Sequence, residues 1–340
     1  MNVTLISIDL AKNIYQVCGV NQACKPQFNR PIKSDKLLPF LIKYHPGVTV
    51  AMEACGGSNY LGRTLQAHGF NVRIIPTRHV KPFVKGNKND RNDAFAIAEA
   101  AMRPSMRFVS PKTVEQTDLS ITHNIRERQV AARTNIVNQL RGLLREYGIN
   151  MPQGIERVKE MLPFILEDAE NTLTTAARRN FNLMMEEWRY LDDAIHQQEK
   201  IIREQARTSP AAELAMTIKG VGIITATAAV AHMGDPSQYK NGRQYAACLG
   251  LVPREYSSGG KQKLGGITKR GNRYLRKLLV QGAWSIIRHS KNADDRLSRW
   301  VEQVIIRSGK HKAAVALANK LARILWAVLA KQAPFELKGM

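Results

Sequence analysis

Four carboxylates stand where metal-assisted phosphodiester chemistry would need them. Asp9 ends the apolar run Val3-Thr-Leu-Ile-Ser-Ile-Asp9, and Glu53 ends a second, Val48-Thr-Val-Ala-Met-Glu53. Both runs read as buried strands. Asp90 and Asp93 lie in Lys88-Asn-Asp-Arg-Asn-Asp93, just before the helical pattern Ala94-Phe-Ala-Ile-Ala-Glu-Ala-Ala-Met102. At a spacing of i, i+3 the last two point the same way from a helix. Strand ends and a helix start can converge in an α/β fold, at the crevice beyond the sheet where ligands bind. Four converging carboxylates repel one another unless a hard divalent cation binds. Magnesium held by carboxylates is a common means of cutting or rejoining a phosphodiester. Plainer readings exist for single acids: Asp93 as a helix N-cap, Glu53 as a solvated strand end, and Lys88 and Arg91 as salt-bridge partners.

Two further segments carry chemistry. Lys219-Gly-Val-Gly222 is followed by small residues and suits a helix-hairpin-helix, whose bare amides and helix start can hold a phosphate. A plain tight turn is the alternative. The second segment is Tyr256-Ser-Ser-Gly-Gly260 with the basic stretch around it. From Arg254 to Lys277 the basic residues are Arg254, Lys261, Lys263, Lys269, Arg270, Arg273, Arg276 and Lys277, against the single acid Glu255. Such a segment could be a phosphate-binding loop, a linker or a nucleophile loop. Nearby arginines would stabilise charge developing at phosphorus. A serine attacks only if something takes its proton, and no Ser-His-Asp pattern accompanies it. His232, His289 and His311 are scattered and read as structural.

The elements that must position these residues can be read from periodicity. Strands are expected over residues 3–9, 14–20, 26–32, 48–53 and 71–76. Ser34 reads as the cap of a helix bearing Leu37, Leu38, Leu41 and Ile42, and another helix runs to about residue 68. Three strands and then alternating helix and strand give a mixed sheet with helices on its faces, the order of a ribonuclease-H-like fold. Residues 113 to about 147 read as one long helix studded with arginine, and 155–207 as a second. Within the second, Phe181, Met184, Trp188, Leu191, Ile195, Gln198, Ile202 and Gln205 form a heptad seam. That seam serves either self-association or a hairpin packed within one chain. Residues 211–248 are helical around Lys219-Gly-Val-Gly222, 250–272 are Gly-rich, Ser-rich and basic, and 273–331 return to helix. The expected division is 1–112, 113–208 and 209–340.

Composition narrows the partners. Lysine and arginine number 51 against 28 acids in 340 residues, a formal charge of +23. So large an excess points to a polyanion, with nucleic acid foremost. A membrane is not expected, because no apolar stretch is read as approaching a spanning length. Cys18, Cys24, Cys55 and Cys248 form no Cys-x-x-Cys pair or zinc pattern, as in a reduced, cytoplasmic protein. No signal peptide is read at the amino end.

Taken together, Ile8-Asp9-Leu-Ala-Lys12, Met52-Glu53-Ala-Cys-Gly-Gly57 and Lys88-Asn-Asp-Arg-Asn-Asp-Ala94 resemble the amino half of the DEDD transposases of bacterial insertion sequences. These are relatives of the Piv-type DNA invertases and are also called bridge-RNA-guided recombinases. Lys219-Gly-Val-Gly222, Leu249-Gly-Leu-Val-Pro253, and Ser257-Ser-Gly-Gly-Lys261 through Gly266-Ile-Thr-Lys-Arg-Gly-Asn272 resemble the carboxyl half. The resemblance runs in order over nearly the whole chain. It implies a RuvC-like domain over 1–112 whose acids, here Asp9, Glu53, Asp90 and Asp93, bind Mg2+, with Mn2+ as a substitute. It implies a coiled coil over 113–208 that joins protomers into a dimer or tetramer, so that acids of one chain meet the serine of another. It also implies a mainly helical transposase domain over 209–340. The serine that precedes a glycine in the family maps onto Ser258, with Ser257 adjacent, and would form a phosphoserine link to DNA. A guide noncoding RNA pairs with donor and target DNA, the protein reading shape and phosphates. Nucleic-acid contacts would fall to Lys88, Arg91, Lys219, Gly220, Gly222 and the basic residues of 254–276.

The expected activity is RNA-guided DNA transposition at the nucleoid. The runner-up is a metal-dependent, structure-specific nuclease of resolvase type, which needs the same acids but no serine. A third reading is a non-catalytic RNA-binding protein, against which the complete acid set argues.

Overall fold

The structure is a computed structural model that describes residues 3–87, 89–292 and 295–336. Lys88 therefore lies outside the described residues. The chain divides into two compact units, Met1–Thr117 with Met233–Lys240, and Asp118–His232 with Asn241–Met340.

The first unit is built on a five-stranded sheet of order β3-β2-β1-β4-β5. Its strands are β1 (Leu5–Asp9), β2 (Ile14–Val20), β3 (Pro26–Lys33), β4 (Thr49–Glu53) and β5 (Asn71–Ile75). β2 runs antiparallel to both β1 and β3, while β1, β4 and β5 are parallel. The mixed sheet and its strand order match the ribonuclease-H-like arrangement expected. Parallel strands covered on both faces read as continuous apolar runs, which is why β1 and β4 were legible. Alternation along β1 splits the core. Leu5 joins Cys18, Ala51 and Ile75 under the alanines of α4 (Asp90–Ala101). Ile6 and Ile8 face Leu37 and Leu41 of α1 (Ser34–Ile42) and Leu65 of α2 (Ser58–Ala67). Alanine at 94, 96, 98, 100 and 101 removes side-chain bulk, so α4 lies close on the sheet. A short α3 (Thr77–Val80) precedes it. Ser34 is the first residue of α1 rather than its cap; Lys33 holds the cap position without a side-chain bond.

In the second unit, α5 (Val114–Arg145) is as long as expected, but the helical segment after it is two helices. α6 (Ile155–Glu167) ends before a loop, and α7 (Thr175–Arg207) restarts at Thr174, whose hydroxyl accepts from the Ala177 amide. Arg178 locks that loop by donating to the carbonyls of Leu166 and Asp168 and to Asn171 Oδ1. The heptad seam is buried inside the chain: Phe181, Trp188 and Leu191 pack with Ile136, Val137 and Leu140 of α5 and with Val158 and Leu162 of α6. Arg126–Glu199 at 2.6 Å and Arg133–Asp192 at 2.8 Å fasten α5 to α7 in antiparallel register. The intrachain hairpin is thus the arrangement adopted by these seam residues.

Short helices α8 (Pro210–Met216), α9 (Ile223–Met233) and α10 (Gly242–Cys248) lead to a hairpin of β6 (Pro253–Glu255) and β7 (Leu264–Ile267). Then come α11 (Arg273–His289), α12 (Arg296–Ser308) and α13 (Lys310–Lys331), with α13 packed against α10, α11 and α12. Contrary to expectation, α13 is long and apolar enough to cross a membrane by length and composition. Its Leu317, Leu321 and Leu325 are fully buried within the unit, as in the core helix of a globular domain.

Candidate active site

The parallel register of β1 and β4 pairs Ile8 with Met52, so Asp9 and Glu53 end neighbouring strands at the same edge of the sheet. Partial burial of the Cys55 thiol, then the carboxylates of Glu53 and Asp9, push its pKa up, so one sulfur feels both acids. α4 brings the other two. Its cap is Asn89, whose side chain accepts from the Asn92 amide at 2.8 Å, which places Asp90 and Asp93 inside the first turn. The capping role considered for Asp93 is therefore taken by another residue. The fully buried Ser7 donates to the Ala94 carbonyl at 2.6 Å, tying the first turn of α4 to the strand that carries Asp9. On its other side Asn29 of β3 donates to the Arg91 carbonyl at 2.9 Å, and the Arg91 guanidinium returns a bond to the Asn29 carbonyl at 3.2 Å. Among the described residues Arg91 makes no ion pair with Asp90 or Asp93. Asp9, Glu53 and Asp93 are half-buried and Asp90 is exposed.

Ser257 and Ser258 occupy the β6–β7 hairpin, whose strands were not expected. The Ser257 hydroxyl donates to Glu255 at 2.7 Å and accepts from the Lys263 amide at 3.2 Å. Ser258 begins a tight turn in which its carbonyl accepts from the Lys261 amide at 3.0 Å. Gly259 and Gly260 at the centre have φ of 54° and 74°, the paired left-handed geometry of a type I′ turn. The Ser258 hydroxyl has no hydrogen bond among the described residues, and Arg254, Ser258, Lys261, Lys263, Lys269 and Arg270 are all exposed. At the base of the hairpin the chain closes on itself. A Cβ on Gly271 would stand 1.8 Å from the Cys248 carbonyl oxygen. Arg276 donates to the carbonyls of Leu249 at 2.8 Å and Arg270 at 3.2 Å, so its guanidinium braces this base while Arg273 stays exposed.

The chain matches a known protein family. Residues 6–149 match the DEDD transposase model named for IS110, and residues 212–298 match the transposase IS116/IS110/IS902 family. The transposase of insertion element IS1111A from Coxiella burnetii is 44% identical over 97% of this chain and 91% of its own length. A probable family 20 transposase of Pseudomonas aeruginosa is 40% identical over 98% of each chain. The transposase of element IS1328 from Yersinia enterocolitica is 38% identical over 96% of this chain and 97% of its own. The chain belongs to the IS110/IS116 family of DEDD transposases. It is a DNA transposase, and DNA is its substrate.

DEDD-type transposases typically use divalent metal ions. The donor set of this transposase fits one: four hard carboxylates are carried by two adjacent strand ends and one helix start. Among the described residues, however, no three acid, histidine or cysteine side chains are gathered into a ready ligand cluster.

Of the expected nucleic-acid residues, Lys219 is engaged within the chain. Its ammonium donates to Asp295 at 2.6 Å and Ser298 at 3.0 Å. Burial alone would raise the Asp295 pKa, but the bonds from Lys219 and Ser298 outweigh it and hold the carboxyl at about 2. Gly220, at φ 81°, abuts α11, where a Cβ would stand 2.9 Å from the Gly282 carbonyl oxygen; Gly222 faces open space. Sequence reading also passed over His123. It is buried, with Nδ1 3.1 Å from the Tyr274 hydroxyl and Nε2 3.0 Å from Thr227 Oγ1, linking α5, α9 and α11. Burial, then the Arg126 charge, push its pKa down to about 4. A lone histidine in an arginine-studded helix carries no motif that would have revealed this.

Proposed function

We propose that this transposase cuts and rejoins DNA through a covalent phosphoserine intermediate, with Ser258 as nucleophile and Asp9, Glu53, Asp90 and Asp93 as ligands of Mg2+. The observation that carries the nucleophile assignment is the contrast between two neighbours: Ser257 is bonded to Glu255, whereas the exposed Ser258 hydroxyl is open to an incoming phosphate. The Ser258 oxygen loses its proton and bonds to phosphorus as the bond to the leaving sugar oxygen breaks and that oxygen is protonated. Rejoining reverses the roles, with a DNA hydroxyl displacing serine. The phosphoester is kept throughout, so no external energy source is required. Bound metal would supply charge to the phosphate and the departing oxygen. Arg254, Lys261, Lys263, Lys269, Arg270 and Arg273 would hold DNA or RNA backbone.

Three finer elements accompany the reading. A guide noncoding RNA selects donor and target by base pairing, with the +23 charge as its support. The α8–α9 turn acts as a helix-hairpin-helix phosphate contact through Gly222 and the start of α9. The long helices of 113–208 join protomers, on faces other than the buried seam; Leu183 and Tyr190, one heptad apart and 59% and 71% exposed, support this. In this reading 1–112 is the metal-binding domain and 209–340 the serine domain, acting in the cytoplasm on nucleoid DNA.

The test is strand exchange on element-end DNA with the flanking transcript supplied, and then denaturation in SDS. Wild-type and Ser257→Ala proteins are expected to trap as covalent DNA adducts, and Ser258→Ala is not. An adduct on Ser258→Ala protein refutes the nucleophile, and metal-dependent cleavage without any adduct favours the resolvase-type alternative.

A further inference from the structure

Beyond the acids and the serine hairpin, α10 and α13 border a pocket of about 470 Å³ lined by Gly242, Arg243, Lys320, Arg323 and Trp326, among others. Ligand pockets run roughly from 300 to 1,000 Å³. Gly242 lets α10 and α13 approach closely beside it, since a Cβ there would stand 2.8 Å from the Arg323 carbonyl oxygen. The Lys320 ammonium lies 3.9 Å from the centre of the Trp300 ring, a cation–π contact with α12. Among the described residues none of Arg243, Arg296, Lys320 and Arg323 forms an ion pair. Burial, then the charges of Arg296 and Arg323, lower the pKa of Lys320, so these cations feel one another. Like charges that crowd one another are relieved by an anion. An indole bordering the same pocket adds a surface that a bare anion does not need and that a nucleobase does. A duplex presents phosphates but hides its base faces, whereas an unpaired strand offers both together.

We propose that this pocket binds one unpaired nucleotide of a single-stranded nucleic acid, its phosphate against Arg243 and Arg323 and its base on Trp326. The recognised features, a phosphate and a base face, are common to DNA and RNA, so both strands enter the test. Full-length protein is irradiated with a bromouracil-substituted single-stranded DNA or RNA oligonucleotide, and the adduct is mapped by peptide mass spectrometry. The expected attachment is Trp326 with at least one of the two. In equilibrium binding, Arg243→Gln with Arg323→Gln should weaken oligothymidylate or oligouridylate roughly tenfold and lower the salt slope by about 0.7, the loss of one single-strand phosphate contact. Trp326→Leu should weaken the same strand by roughly tenfold, the scale of one base stack, with less than about a twofold effect on matched duplex. Trp326→Phe, which keeps a ring, should retain binding. Adducts only at other residues overturn the proposal, as do equal losses for duplex and single strand. The adduct map uses unaltered protein, so it decides even if a variant fails to fold, and none of these readouts requires strand cleavage.

Discussion

In the first unit Asp93 adjoins Ala94, whose carbonyl is held by the buried Ser7 of the strand bearing Asp9. In the second, Ser258 stands at the tip of a hairpin whose two strands are exposed almost throughout. The acids are fixed from below by a sheet covered on both faces. The serine is fixed only at the root of its hairpin, where Gly250, Gly271 and Arg276 bind the loop to the end of α10. Under the proposed function, the difference reflects what each group would have to do. Several ligands sharing one ion must be held to a fraction of an ångström, which needs packed elements beneath them. A nucleophile that joins itself to a large polymer must first be reached by it, which needs exposure. The cost of exposure falls on local backbone, and two consecutive glycines carry it.

The largest effect that would break this contrast lies at the acids. Asp9→Asn or Asp93→Asn is expected to lower strand cleavage by about 10³-fold or more, because a metal ligand supplies several kcal/mol to the transition state. The melting temperature should stay within about 2 °C, since neither side chain is core. Activity measured beside calorimetry checks both, and substantial residual cleavage by Asp93→Asn would remove that residue from the metal set.

At the hairpin, stability should separate root from tip. Gly271→Ala is expected to cost about 3 kcal/mol or more, because its Cβ would collide with the Cys248 carbonyl at a positive φ. Gly260→Ala meets no neighbour and should cost about 1 kcal/mol, for φ alone. Denaturant titration ranks the two, and equal costs would mean that the tip is as constrained as the root.

Acid should weaken the second unit through His123. Its folded pKa of about 4 lies below the ordinary 6.5, so the unfolded chain takes up the proton first as pH falls. The contribution is complete above 6.5 and is lost progressively between 6.5 and 4, about 2 kcal/mol of it by pH 5. Hydrogen exchange in α9 and α11 at pH 7 and 5 reads this directly, and His123→Gln should flatten the dependence. A modest effect concerns the tether: Ser7→Ala should cost roughly 1 kcal/mol by removing the buried hydroxyl that bonds the Ala94 and Cys18 carbonyls. Cleavage should also fall as the first turn of α4 loosens, while the Leu5 and Ile6 core stays intact.

Legibility differed along the chain for physical reasons. β1 and β4 were readable because strands buried on both faces are continuous apolar runs, each stopped by a carboxylate, and the edge strand β5 from its shorter apolar content, Val72, Ile74 and Ile75. The long helices were readable from their period, but the Glu167–Thr175 break was not, since Asn171 and Arg178 close it by bonds to backbone carbonyls rather than by glycine and proline signals. β6 and β7 were missed because strands of three and four exposed residues carry no alternation. Of the heptad seam, Phe181, Trp188, Leu191, Ile195 and Ile202 are buried while Met184, Gln198 and Gln205 are half-buried, and the seam left their partner open. A seam of period three and four is equally satisfied by a second chain or by helices of the same chain, and here α5 and α6 cover it.

The sequence by itself determined the family, the DNA-directed chemistry and the strand ends and helix start that carry the four acids, because motif order and apolar periodicity are written locally. Only the tertiary structure decided that Ser7 clasps α4, that Lys219 is occupied by Asp295, that Ser257 is bonded while Ser258 is open, and that Arg243 and Arg323 border one pocket with Trp326. Each of these joins residues distant in the chain or depends on where a single hydroxyl points, and neither spacing nor composition encodes that.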